Sequence, residues 1–268
     1  MVRPNDPEHI SLLSLAPASL NTAKFSVDDA ERSRVIEGAA KLLVKVYVLP
    51  NVATNLAQGL RARHKRGEYQ NITDAEVFAT RLEDDLCALS GDKHMSVDFF
   101  AEIMPPNDPA RRPRPDLQQL AASNCGFEKA EHFPPNIGYL KLNAFAEPAY
   151  CTPTAIAAMN FLADSDALIV DLRDNRGGAP RMAALVSSYL FDEPTHLDDI
   201  LNRKANTTEQ LWTIPYLPGK NFADKPFFVL TSSRTFFAAE QFSYDLKAFK
   251  RATLVGEITG GGAHLVAP

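Results

Sequence analysis

The stretch ALIVDLRDNRGGAPRMAALVSSYL, residues 167–190, decides the fold class. Residues 167–172 are nearly continuous in apolar character, as expected of a strand covered on both faces. Asn175 to Gly178 supplies a turn, and Pro180 suits the first turn of a helix on which Met182, Leu185, Val186 and Leu190 recur at helical spacing. Working outward, residues 137–142 (IGYLKL) read as a strand and residues 153–163 as a helix. Residues 226–231 form a second buried strand. A helix follows with Ala238, Phe242, Leu246 and Phe249 on its inner face, and a last strand spans residues 252–256. Strands alternating with helices predict an α/β layered domain with parallel strands and right-handed crossovers.

Upstream the hydrophobic period changes. Residues 26–90 read as helices, the first opening at Ser26 and Asp29 with Val35, Ala39, Leu42 and Val46 as its apolar positions. A second helix follows Pro50. The third opens at Thr73, carries Phe78, Leu82, Leu86 and Leu89, and ends at Ser90-Gly91. The Pro- and Arg-dense segment NDPARRPRP, residues 107–115, suits an exposed connector. The expected division is a helical subdomain over residues 1–110 and an α/β core over 111–268. Because the sequence stops just after a strand and a glycine-rich turn, that core is expected to be incomplete at its C-terminal end and to expose a sheet edge.

With 268 residues, 45% of them hydrophobic and 23% charged, the composition is that of a globular protein and excludes disordered, collagen-like and coiled-coil classes. A net charge of -5 without runs of like charge argues against a nucleic-acid partner. No window approaches a membrane span, and the N-terminal residues do not read as a signal peptide as they stand, which leaves the compartment open. The three cysteines (Cys87, Cys125, Cys151) show no metal-ligand spacing and are read as reduced, mostly buried thiols rather than a disulfide framework. No metal or cofactor is expected.

Two turns at strand C-terminal ends can carry chemistry, DLRDNRGG (171–178) and TSSRTFFAAE (231–240), because α/β sheets place ligands there. Spacing alone favours a tight turn for Gly177-Gly178. The pair fits neither GxGxxG nor the phosphate loop, but it can expose backbone N–H groups to an anion beside a helix N-terminus. Asp171 and Arg173 read as a structural ion pair. His9, His64, His132 and His196 lack a partner pattern and read as surface residues.

Four ordered motifs resemble the tail-specific, or C-terminal-processing, serine peptidases: IGYLKLNAF, ALIVDLRDNRGGAPRMAALVSSYLF, PFFVLTSSRTFFAAEQFSYDL and RATLVGEITGGGAH. The likeness is greatest to the branch that includes interphotoreceptor retinoid-binding protein and the tricorn core peptidase, and YVLPNVATNLAQGL and LSGDKHMSV extend it over nearly the whole chain. It implies a crotonase-like α/β fold with an N-terminal helical subdomain. About 40 residues separate His94 from the strand at Ile137, too few for the PDZ domain that many such peptidases insert. It also implies a serine nucleophile at the position that is Phe237 here, and, in the Ser-Lys branch, a lysine where Gly262 stands. Neither is present. A histidine base matches His94, implied to face Phe237, with its orienting glutamate in a segment outside this sequence. Gly177, Gly178 and Ala238 match the oxyanion hole, Phe236 lines the site, and His264 matches the family without an assigned role.

Neither Ser232 nor Ser233, upstream in the loop, replaces the missing hydroxyl. Ser243 lies six residues along the helix, rotated by about 240° and displaced by about 9 Å. The expectation is a peptidase-family protein, acting on polypeptide by descent, whose covalent step is inactive or impaired. The alternative is a non-catalytic module for hydrophobic peptide tails or lipid-like ligands, with Phe236 and Phe237 as an apolar floor. Family members are often exported, and oligomeric state is not legible.

Overall fold

The computed structural model describes residues 25–101, 116–202 and 205–262. They fall into two compact units, one holding the first three helices and the other the elements from residue 116 onward apart from a short segment at 202–207. The connector at 107–115, the first 24 residues and His264 lie outside the described residues.

The helical unit contains α1 (Asp29–Val46), α2 (Pro50–Lys65) and α3 (Ala75–Ser90). Asp28, not Ser26, caps α1 by accepting from the Glu31 N–H at 2.8 Å, whereas Ser26 bridges to Asp74. Asp74 caps α3, accepting from the N–H groups of Glu76 and Val77. Each cap satisfies donors that a first helical turn leaves open. The buried stripe of α1 runs through Val35, Ile36, Ala39, Ala40 and Leu43, rotated from the one the spacing predicts, so that Leu42 and Val46 are only half-buried. Gly91 ends α3 in the left-handed region at φ 70°. Ile36, Leu56, Leu60, Phe78 and Leu82 form the centre of this core.

The second unit runs α4 (Leu117–Ala122), β1 (Phe127–Phe133), β2 (Ile137–Leu142), α5 (Pro148–Phe161), β3 (Ala167–Asp171), α6 (Pro180–Ser187), β4 (His196–Asn202), β5 (Thr207–Trp212), β6 (Phe227–Thr231), α7 (Ala238–Ala248) and β7 (Thr253–Gly256). The main sheet has the order β1-β2-β3-β6-β7, antiparallel between β1 and β2 and parallel elsewhere. Its register aligns Leu140, Val170, Val229 and Leu254 in one row, the first three fully buried beneath Phe145, Met182, Phe242 and Leu246. β4 and β5 pair as a separate ribbon. β2, β3, β6, α6 and the body of α7 follow the sequence reading. β1 and the β4–β5 ribbon do not appear in it, α5 begins five residues earlier than predicted, and Phe249 lies past the end of α7, partly exposed.

The cysteine reading needs correction. Cys125 and Cys151 form a disulfide, their Cα atoms 5.7 Å apart, linking the turn before β1 to α5; Cys87 alone is a thiol, half-buried. Three of the histidines also have partners. His64 meets Ser33 Oγ at 2.9 Å, His132 meets Ser165 Oγ and the Phe161 carbonyl, and His196 meets Asp199. No helix among the described residues is long and apolar enough to cross a membrane.

Candidate active site

At the C-terminal ends of β3 and β6 two turns pack together. The first leaves β3 through Asp171, which is buried and held by a two-pronged pair with Arg173 (2.9 and 2.6 Å) and by the Tyr139 hydroxyl at 2.7 Å. Burial pushes its carboxyl up, but the Arg173 side chain and N–H and the Tyr139 hydroxyl outweigh it and hold it at about 2. This is the scaffold ion pair expected from the sequence.

Asn175, fully buried, ties three segments. Its Nδ2 donates to the Leu142 carbonyl at 3.0 Å, its Oδ1 accepts from the Gly177 N–H at 2.8 Å, and its carbonyl accepts from the Phe236 N–H at 3.0 Å. Positions 177 and 178, one residue further on, must be glycine. Gly177 has φ 99°, and a Cβ there would lie 2.7 Å from Phe237 Cβ and 2.9 Å from the Ala238 nitrogen; Gly178 has φ 128°, and a Cβ there would run into the Phe145 carbonyl. The glycine turn therefore touches the start of α7.

The second turn leaves β6 through Thr231 and reaches Phe237 at φ 51°, ψ -121°, a backbone region that non-glycine residues rarely occupy. Holding a side chain there costs about 1–3 kcal/mol and persists only where the surroundings over-determine it. They do so here through Glu240. Its carboxylate accepts from the N–H groups of Phe237 (3.0 Å), Gly261 (2.7 Å) and Gly262 (2.6 Å), while Gly260 donates to the Thr235 carbonyl. The Phe236 ring lies against Gly260 and Gly262, where a Cβ would come within 2.7 and 2.6 Å of it. Gly262, where the Ser-Lys branch would place its lysine, thus serves as a backbone donor.

Among the described residues, the N–H groups of Gly178 and Ala238 have no protein acceptor, whereas that of Gly177 is committed to Asn175. They lie beside the positive end of the α7 dipole. Two of the three serines weighed above have hydroxyls committed elsewhere. Ser232 Oγ donates to the Arg173 carbonyl, and Ser243 Oγ donates to the Ala239 carbonyl within its own helix. From Phe237 a cleft of about 760 Å³ extends along α7, lined by Glu240, Tyr244 and Asp245 of that helix and by Asp198, Leu254 and Ile258.

His94 belongs to the helical unit, in the turn after α3. Its N–H donates to Asp92 Oδ1 at 2.9 Å and its Nδ1 lies 3.0 Å from the same oxygen, while the Tyr47 hydroxyl donates to Asp92 Oδ2 at 2.9 Å. Burial pushes the Asp92 carboxyl up, and the hydrogen bonds from His94 and Tyr47 outweigh it and leave it at about 2. An ionised carboxylate only accepts, so Nδ1 carries the proton in this contact and Asp92 fixes the orientation of the ring. The sequence reading assigned this orienting role to a glutamate outside the sequence. Asp92, two residues before the histidine, supplies such a contact locally. Asn175 and Glu240 were likewise missed, since neither stands in a spacing that signals what it holds.

A strained strand-to-helix elbow beside backbone N–H groups at the C-terminal ends of parallel strands can hold one side chain next to donors suited to an anion. The chain belongs to peptidase family S41. The profile of that family matches residues 136–267, and the profile of the N-terminal domain of Peptidase_S41 in eukaryotic IRBP matches residues 29–123. A carboxyl-terminal-processing protease of Synechocystis sp. is 31% identical over 128 residues, covering 47% of this chain and 28% of the relative. The chain thus spans little more than a quarter of that relative's length. Among solved structures, a candidate peptidase of Parabacteroides merdae has a TM-score of 0.54 at 15% identity, covering 88% of this chain and 77% of the other. A photosystem II D1 C-terminal processing protease has a TM-score of 0.39 at 23% identity, covering 48% of this chain and 34% of the other.

Proposed function

We propose that this chain binds polypeptide in the cleft beside the elbow, as a relative of serine-type, tail-specific peptidases with a crotonase-like core, and that the covalent step is closed at position 237. The observation that carries the reading is the backbone of Phe237. A conformation that costs about 1–3 kcal/mol is held at a helix N-terminus, against a glycine turn, in the arrangement that presents a nucleophile. A phenyl ring has neither a proton to transfer nor a lone pair to attack with. In a protein with a serine there, the hydroxyl oxygen would bond to the scissile carbonyl carbon and its proton would pass to a general base, the role that the family resemblance gives to His94. The N–H groups of Gly178 and Ala238 would receive the developing oxyanion. A second reading, a non-catalytic module for hydrophobic peptide tails or lipid-like ligands, is favoured by the apolar lining from Phe237, Leu254 and Ile258.

The test is fluorophosphonate labelling with peptide cleavage. The unaltered protein is expected to show neither. Phe237→Ser is expected to gain both in part, since removing one member of a triad leaves about 10³–10⁴-fold over water in proteases. His94→Ala in that background is expected to remove the gain. Robust labelling of the unaltered protein at another serine, or a restored activity indifferent to His94, overturns these roles.

A further inference from the structure

Asp245 sits two turns along α7 from Phe237, only 6% exposed, on the wall of the same cleft. Among the described residues no hydrogen-bond donor or cation reaches its carboxylate, which is exceptional for a buried acid. Its neighbours across the cleft make the vacancy more costly. Asp198 of β4 is a second carboxylate, itself partnered by the Asp199 N–H and, at 3.3 Å, by Gln241 Nε2. Burial and the charge of Asp198 push the Asp245 carboxyl up to about 7. Of the other charged groups on the cleft, Glu240 is occupied by three backbone donors, and Lys247 and Glu257 lie on its exposed rim. The wall between these acids is apolar, formed by Leu254, Ile258 and the Tyr244 ring.

A long aliphatic stem ending in a positive charge matches both features, since methylenes cover the apolar wall while the head meets the carboxylates. We propose that this end of the cleft is a subsite for the ammonium or guanidinium group of a lysine or arginine side chain on the bound polypeptide, with Asp245 as its carboxylate partner. The inference rests on the reading of the cleft as a polypeptide site. Eight helical residues separate Asp245 from Phe237, about 12 Å at 1.5 Å per residue. An extended chain covers that distance in about three or four residues, which sets where the basic residue falls relative to the elbow.

The experiment measures fluorescence anisotropy of the full chain with capped, otherwise uncharged peptides carrying Lys, Arg, norleucine or Glu at one position. At pH 8 the Lys and Arg peptides are expected to bind about tenfold more tightly than the norleucine peptide, with Glu weakest. The preference should shrink at pH 5.5, where Asp245 is protonated. Asp245→Asn should abolish it, and Glu147→Gln, which removes one exposed charge elsewhere, should leave it intact. Equal binding of the Lys and norleucine peptides to unaltered protein overturns the subsite while the polypeptide reading stands, and this comparison decides even if Asp245→Asn does not fold. A preference that survives Asp245→Asn overturns it too. Binding of none of the peptides overturns the polypeptide reading and the subsite with it.

Discussion

At Gly177 the next heavier residue is already too large. An added methyl would stand 2.7 Å from Phe237 Cβ and 2.9 Å from the Ala238 nitrogen, at a φ of 99° that disfavours any side chain. Gly177→Ala is therefore expected to lower stability by about 1–3 kcal/mol in denaturant titrations, and to abolish whatever activity Phe237→Ser restores by displacing the start of α7. An alanine variant as stable as the parent would show that the turn is not packed against the elbow. At this scale the sequence could be read where identity alone decides: Phe237 cannot act as a nucleophile in any fold. It could not be read for Asn175, Glu240 or Asp92. Their importance lies in which groups they reach, and for Asn175 those lie as far along the chain as Leu142 on one side and Phe236 on the other.

Among the elements, those with strong periodicity were legible. β3 is nearly all apolar because both faces are covered, and α6 buries the four positions its spacing singles out along with the turn that follows. β1 carries Glu128, Lys129, Glu131 and His132 on a sheet edge with mostly exposed faces, so it has no hydrophobic signature; charge on an edge also discourages pairing with another chain. The β4–β5 ribbon is similarly polar. The disulfide was out of reach for a different reason. A separation of 26 residues says nothing of a 5.7 Å approach between Cα atoms. Closing a loop of that length is worth about 3–4 kcal/mol on the chain-entropy account. Cys125→Ala with Cys151→Ala, or reductant on the unaltered protein, is expected to lower the midpoint of thermal unfolding accordingly. An unchanged midpoint would mean that the two thiols are not joined in solution.

For the molecule as a whole, three buried carboxyls set opposing pH dependences. Asp92 and Asp171, held at about 2, contribute stability that is complete above the ordinary carboxylate range near 4 and lost as pH falls through 2, on the order of 2 kcal/mol each. Asp245, raised to about 7, runs the other way. Its contribution is complete below about 4 and is lost as pH rises through 7, because the folded state then holds a buried charge. These three groups together favour maximal stability on the acid side of neutrality. Asp245→Asn is expected to raise the thermal midpoint at pH 8 and leave it nearly unchanged at pH 4. A rise of equal size at both pH values would assign the effect to packing instead of charge.

The hydrogen bonds that converge on Asn175 also have a consequence in time. The amide protons of Gly177 and Phe236 are both held by this one buried residue, one by its side chain and one by its carbonyl, although they belong to loops nearly sixty residues apart. Their exchange with deuterated solvent should therefore be slow and matched, governed by the same opening event, even though surface loops ordinarily exchange fast and independently. Removing the amide side chain with Asn175→Ala should uncouple them, speeding Gly177 far more than Phe236.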